Sequence, residues 1–106
     1  MITFVCRLRA ASGKAAALEA LLTSVRDASR SEPGVVSYDF AIGADDPAEY
    51  VVIEVYRDAA AHAVHMDTAW VTESLPLTMP LIEGRVDVQQ YVSPGTTPAV
   101  RRFKQD

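Results

Sequence analysis

Cysteine is almost missing from this 106-residue chain. Cys6 stands alone, so no internal disulfide can staple the fold, and the composition suits a reducing compartment. Long apolar runs are missing too; none approaches the ~20 residues that a membrane-spanning helix needs. Met1 leads straight into an alternating pattern, without the charged and apolar regions of a secretory leader, which predicts a soluble cytoplasmic protein. Cations are scarce: 10 Lys and Arg against 14 Asp and Glu give a net charge of −4. A nucleic-acid partner, which selects for grouped Lys and Arg, is therefore not expected. The short basic cluster Arg101-Arg102-Phe103-Lys104 reads as a solvated tail. Imidazole is rare as well, supplied only by His62 and His65, and Trp70 is the single tryptophan.

Apolar side chains, by contrast, make up 49% of the residues. A chain of this size folds as one domain and hides roughly 60–65% of its unfolded surface, which makes a lone protomer modestly stable. Burial against a second copy would use the apolar surplus.

Periodicity divides the chain. Ile2 to Arg9 alternates, with Ile2, Phe4, Cys6 and Leu8 on one side and Thr3, Val5, Arg7 and Arg9 on the other, as a strand requires. From Lys14 to Arg30, Ala17, Leu18, Leu21, Leu22, Val25 and Ala28 recur at helical spacing, with Ser12 as a candidate cap. Ser31-Glu32-Pro33-Gly34 ends that helix. A strand over 35–42 sets Val36, Tyr38, Phe40 and Ile42 opposite Val35, Ser37, Asp39 and Ala41. Gly43 to Pro47 is turn chemistry, and the next strand, about Glu49 to Tyr56, completes an antiparallel hairpin. Asp58 caps a second helix, Ala59 to about Met66, which Asp67-Thr68 interrupts before a short piece carrying Trp70, Val71, Leu75 and Leu77. Pro76 and Pro80 shorten or kink that piece. Arg85 to Tyr91 is the last strand. Residues 93–106 have no periodicity and form either a mobile end or an arm ordered on a neighbouring subunit.

The order strand, helix, strand, strand, helix, strand defines an α+β, ferredoxin-like βαββαβ domain over residues 1–92. It predicts a four-stranded antiparallel sheet with the helices on one face. Apolar residues lie on both sides of every strand, although such a sheet usually solvates one face. A two-fold homodimer with its sheets packed face to face accounts for this.

Four stretches carry a family resemblance: Gly13-Lys14, Glu32 to Asp39, Tyr50 to Tyr56, and Ala61 to Thr68. In this order and spacing the chain resembles the antibiotic-biosynthesis monooxygenase family of the dimeric α+β barrel superfamily, over about residues 1–92. The resemblance implies a homodimer with a substrate pocket between sheet and helices in each subunit. Relatives oxidise aromatic polyketides or quinols with molecular oxygen and use no metal, flavin or haem; others degrade haem, and some are isomerases. The haem-degrading branch carries an asparagine in the first strand, then a tryptophan and a histidine in the second helical region. Cys6 and Arg7, His65 and Leu75 stand near those positions here, which argues against haem chemistry.

Oxygenation without a cofactor needs an apolar pocket for the ring, a base, and a partner for the developing oxyanion. His65 is the candidate base, since imidazole titrates nearest neutrality; its bland reading is a structural or surface histidine. Glu54, set among apolar strand neighbours, either orients His65 and accepts a proton, or pairs with Arg7 or Arg85 to steady the sheet. Arg7 is also a candidate phenolate partner. Trp70, Tyr38, Phe40 and Met66 are candidate ring-packing walls, or plain core. His62 and His65, three apart on a helix, suggest a metal only if a third ligand exists, and none has a recognisable spacing. Cys6 reads as an inert packing residue. A non-catalytic dimeric module for a small aromatic metabolite, and an isomerase, are the alternatives to a monooxygenase.

Overall fold

The structure, a computed structural model, describes residues 1–101. The elements are β1 (Ile2–Ala10), α1 (Ala15–Ser29), β2 (Val35–Ile42), β3 (Glu49–Tyr56), α2 (Ala59–Met66), α3 (Ala69–Thr78), a 3-10 turn (Met79–Leu81) and β4 (Ile82–Val92). The sheet order is β2-β3-β1-β4, with every neighbouring pair antiparallel. This is the ferredoxin-like arrangement that the element order predicts.

Pairing register decides which side chains meet. Phe4 lies opposite Glu54, Cys6 opposite Val52 and Leu8 opposite Tyr50, so these residues share one face of the sheet. On that face Leu8, Tyr38, Tyr50, Val52 and Ile82 pack against Leu18, Leu22 and Val25 of α1. Nearer the other end, Ile2, Phe4, Tyr56 and Val88 pack with Ala61 of α2. Each fully buried Leu, Ile or Val contributes about 1.5–3 kcal/mol, which makes this shared face the main source of stability.

The helices start and stop for local reasons. Asp58, in extended conformation, accepts from the Ala61 amide, and Thr68 accepts from the Val71 amide, so α2 and α3 each have a side-chain cap. Pro76 falls inside α3, which gives way to the 3-10 turn after Thr78. Ser12 does not act as a cap: the capping position of α1 is Lys14, without a side-chain bond. Gly13 intervenes at a φ of +74°, a conformation that favours glycine.

Two strands depart from simple alternation. The β2–β3 register shifts between Val35 and Ser37, so Val35 packs against the core while Val36 is 57% exposed, the reverse of the predicted facing. A bulge adds one residue and inverts the alternation upstream of it. Strand β4 is longer than predicted, and its pairing with β1 shifts between Arg7 and Arg9, near Gly84 at a φ of +65°.

Residues 93–101 return to their own domain, whereas both sequence alternatives put the tail elsewhere. Ala99 is buried in the cluster of Ile2, Phe4 and Tyr56, and the Gln90 side chain both accepts from the Ala99 amide (2.7 Å) and donates to its carbonyl (3.2 Å). Of the basic cluster, only Arg101 is among the described residues.

Candidate functional site

The helix-facing side of the sheet carries one acid, Glu54, among apolar neighbours. The α1–β2 turn and α2 bring two more polar groups, Glu32 and His65, to it. Glu32 sits in the turn between α1 and β2, and Gly34 just beyond it lies so close to α2 that a Cβ there would overlap the Ala61 side chain. That approach sets Glu32 beside the buried face of α2. The Glu32 Oε2 atom lies 2.9 Å from Nδ1 of His65 and accepts from the indole N–H of Trp70 at 3.1 Å. On the other side of the ring, Nε2 of His65 is 3.9 Å from Oε1 of Glu54. Carboxylate, imidazole and carboxyl thus form a buried line, with His65 and Glu32 side chains only 3% and 7% exposed.

Glu54 in turn accepts from the Tyr56 hydroxyl and, at 3.6 Å, from the Cys6 thiol. Burial pushes the Glu54 carboxyl above the usual carboxylate range, while the Tyr56 hydrogen bond and nearby His65 pull the other way. Burial also pushes Tyr56 and Cys6 up, reinforced by the adjacent Glu54, so both are protonated donors near neutrality. Tyr38 is raised well above its ordinary value by burial as well.

Glu54, His65, Cys6 and Tyr38 face a cavity of about 130 Å³ between sheet and helices, partly open to solvent. Its walls are mostly apolar, among them Phe4, Leu22, Val52, Val71, Leu75 and Val88, and its polar lining includes Glu54, His65, Cys6 and Arg101. An apolar cavity of roughly 150 Å³ admits a benzene ring, so the volume suits one aromatic ring.

The sequence candidates divide on this geometry. His65, Glu54, Tyr38 and Met66 come together around the cavity. Trp70 and Phe40 are not among its lining residues: Trp70 holds Glu32, and Phe40 packs near Tyr50 with the Arg26 guanidinium 5.4 Å above its ring. Arg7 pairs with Val51 and Asp87 on the opposite face of the sheet and is exposed, because adjacent strand residues point to opposite sides. It therefore reaches neither Glu54 nor the cavity. The polar partners of Glu54 are a phenol, a thiol and an imidazole in place of the expected arginine. Cys6 remains a packing residue in position but also donates to the site acid. His62 stacks on Phe4, with ring centroids 4.4 Å apart. Among the described residues, no group of three or more His, Cys, Asp or Glu side chains is placed to hold a metal ion.

Glu32 is the residue that sequence reasoning passed over. In the sequence it belongs to a helix-ending turn and heads the Glu32 to Asp39 stretch of the family resemblance, and its distinguishing signal is an acid immediately before Pro33-Gly34. Oε1 of Glu32 is buried and has no hydrogen-bond partner among the described residues.

Fold and site together define a ferredoxin-like α+β domain with a polar line buried beneath its helices. The family model for antibiotic biosynthesis monooxygenase matches residues 1–73, and the chain belongs to that family. Solved structures agree. The Pseudomonas aeruginosa protein PA3566 is 29% identical, covering 87% of this chain and 92% of its own, with a TM-score of 0.81. The Mycobacterium tuberculosis protein Rv0793 is 25% identical over 92% of this chain and 98% of its own, at 0.83. An antibiotic biosynthesis monooxygenase of known structure is 22% identical over 88% and 98%, at 0.82, a likeness of fold. Curated proteins give no match. No helix among the described residues is long and apolar enough to cross a membrane.

Proposed function

We propose that this protein is a monooxygenase that oxidises a hydroxylated aromatic or quinol with molecular oxygen, without a cofactor. The observation that carries the reading is the Glu32–His65–Glu54 line abutting an apolar cavity of one-ring size. Glu32 accepts the Nδ1 proton of His65, which leaves Nε2 with a lone pair to take the substrate's hydroxyl proton. The substrate anion then gives one electron to dioxygen, and the radical pair joins to form a carbon–oxygen bond. The protonated His65 returns its proton to the peroxide anion, and the resulting hydroperoxide loses water, taking the hydrogen of that ring carbon, and leaves a carbonyl. One oxygen atom ends in the product and the other in water. Glu54, with its carboxyl pushed toward the neutral form, orients the ring or donates to the developing oxyanion. A fused polyketide would have to extend through the cavity's open side.

Oxygen uptake with a panel of one-ring hydroquinones tests this. Uptake should exceed background and fall about 10²–10⁴-fold in His65→Ala. Equal uptake in both proteins rejects the role of His65. An isomerase is the second reading, because a carboxylate–imidazole–carboxyl line moves protons without oxygen; undiminished conversion under anaerobic conditions would favour it. Saturable binding without turnover would mark a metabolite-binding module.

The functional unit in this proposal is a homodimer joined through the outer sheet face. Support comes from Ile53 and Tyr91, which lie on that face 43% and 59% exposed, beside half-buried Val5, Val51 and Val55. Sedimentation that finds only single chains at micromolar concentration rejects it.

A further inference from the structure

The tail returns a cation to the cavity, and neither the sequence reading nor the oxidation chemistry uses it. Arg101 lines the cavity, and one of its Nη2 donors reaches the Val88 carbonyl at 2.7 Å. Among the described residues it is the only Lys or Arg that lines the cavity. A guanidinium offers five N–H donors in a planar fork, a geometry matched to a carboxylate. The chain that delivers it is clamped: Gln90 holds the Ala99 main chain through two hydrogen bonds, and Ala99 is buried beside Phe4 and Val88. The positive charge is felt inside, since Arg101 opposes the upward push on the Cys6 thiol. In a chain of net charge −4, with two acids already committed to His65, one cation at an apolar cavity is a selective feature.

We infer that Arg101, held in place by the Gln90–Ala99 clamp, recognises an anionic group, so that the cavity takes an aromatic carboxylate or equivalent oxyanion in preference to its neutral counterpart. This rests on the proposed one-ring substrate and narrows it: the ring carries a negative group directed at Arg101 and a hydroxyl directed at His65.

Two one-ring probes of nearly the same shape separate the charge from the ring, 4-hydroxybenzoate and its neutral isostere 4-hydroxybenzamide. Their dissociation constants are read from amide chemical-shift titrations of the full chain, without turnover. The benzoate should bind about tenfold or more tightly than the benzamide. That ratio should collapse toward unity in Arg101→Gln, with benzamide binding unchanged, and should partly survive in Arg101→Lys. Gln90→Leu, which releases the clamp with Arg101 intact, should lower the ratio as well. Equal affinities in the wild type, a ratio indifferent to Arg101→Gln, or binding of neither probe at millimolar concentration would each overturn the inference. Because no oxygen is consumed, these results stand apart from the oxygen-uptake assay: anion preference can fail while oxidation holds, and the reverse.

Discussion

Two acid-rich clusters sit toward opposite ends of the β1–β3 pairing, and only one is buried. At the exposed end, Arg9 contacts Asp46 at 2.7 Å, Glu49 at 2.6 Å and Glu83 at 3.2 Å. At the buried end, Glu32 is 2.9 Å from His65, and Glu54 stands 3.9 Å further along. By contact distance the exposed cluster is the stronger. Physically it is the weaker, because its members are roughly half in water, where screening and side-chain entropy cancel most of the attraction. The buried line has lost its hydration and cannot be replaced by solvent, so each member depends on its neighbours. Carboxylates thus sit in water at one end and depend on buried partners at the other.

The comparison breaks most sharply at Glu32. Glu32→Ala leaves a buried imidazole N–H and an indole N–H without their acceptor, and should destabilise the fold by about 2–5 kcal/mol in denaturant titration. A loss under about 1 kcal/mol would mean that the pair is solvated after all. Glu54 gives a subtler difference, visible in pH. Because burial raises its carboxyl, the ionised form is less favourable in the folded chain than in the unfolded one. The penalty is absent below the ordinary value of 4.5 and grows as pH rises toward the folded value, so stability falls across that window. Glu54→Gln should flatten this slope in thermal melts from acid to neutral pH; an unchanged slope assigns it to other groups. The smallest effect belongs to Arg9. Arg9→Met should leave the thermal midpoint within a few degrees of the wild type, with any difference erased by added salt. A large, salt-resistant fall would overturn the view that the exposed cluster contributes little.

Much of the scaffold was legible because it depends on neighbours a few residues away. The alternation of Ile2 to Leu8, the helical spacing of Leu18, Leu22 and Val25, and the cap at Asp58 are local statements, and the structure has all of them. His65 and Glu54 were legible as candidates because an imidazole and an acid stood out against apolar surroundings. Val36 was misplaced because a bulge is a property of two strands together. Arg7 lies away from the cavity because its parity along β1 puts it on the face opposite Cys6.

By itself, then, the sequence determined the order of elements, the alternation along its strands and the chemical character of its rarest side chains. Those follow from periodicity and short-range sterics, which any stretch of chain carries with it. Only the tertiary structure decided that Glu32, 33 positions before His65, would be its partner. It alone turned Trp70 from a wall into a clamp on that acid and brought Arg101 back to the cavity from the far end of the chain. Such contacts arise when the sheet closes and helices dock on it, and no local pattern encodes a distance that exists only after the chain has folded.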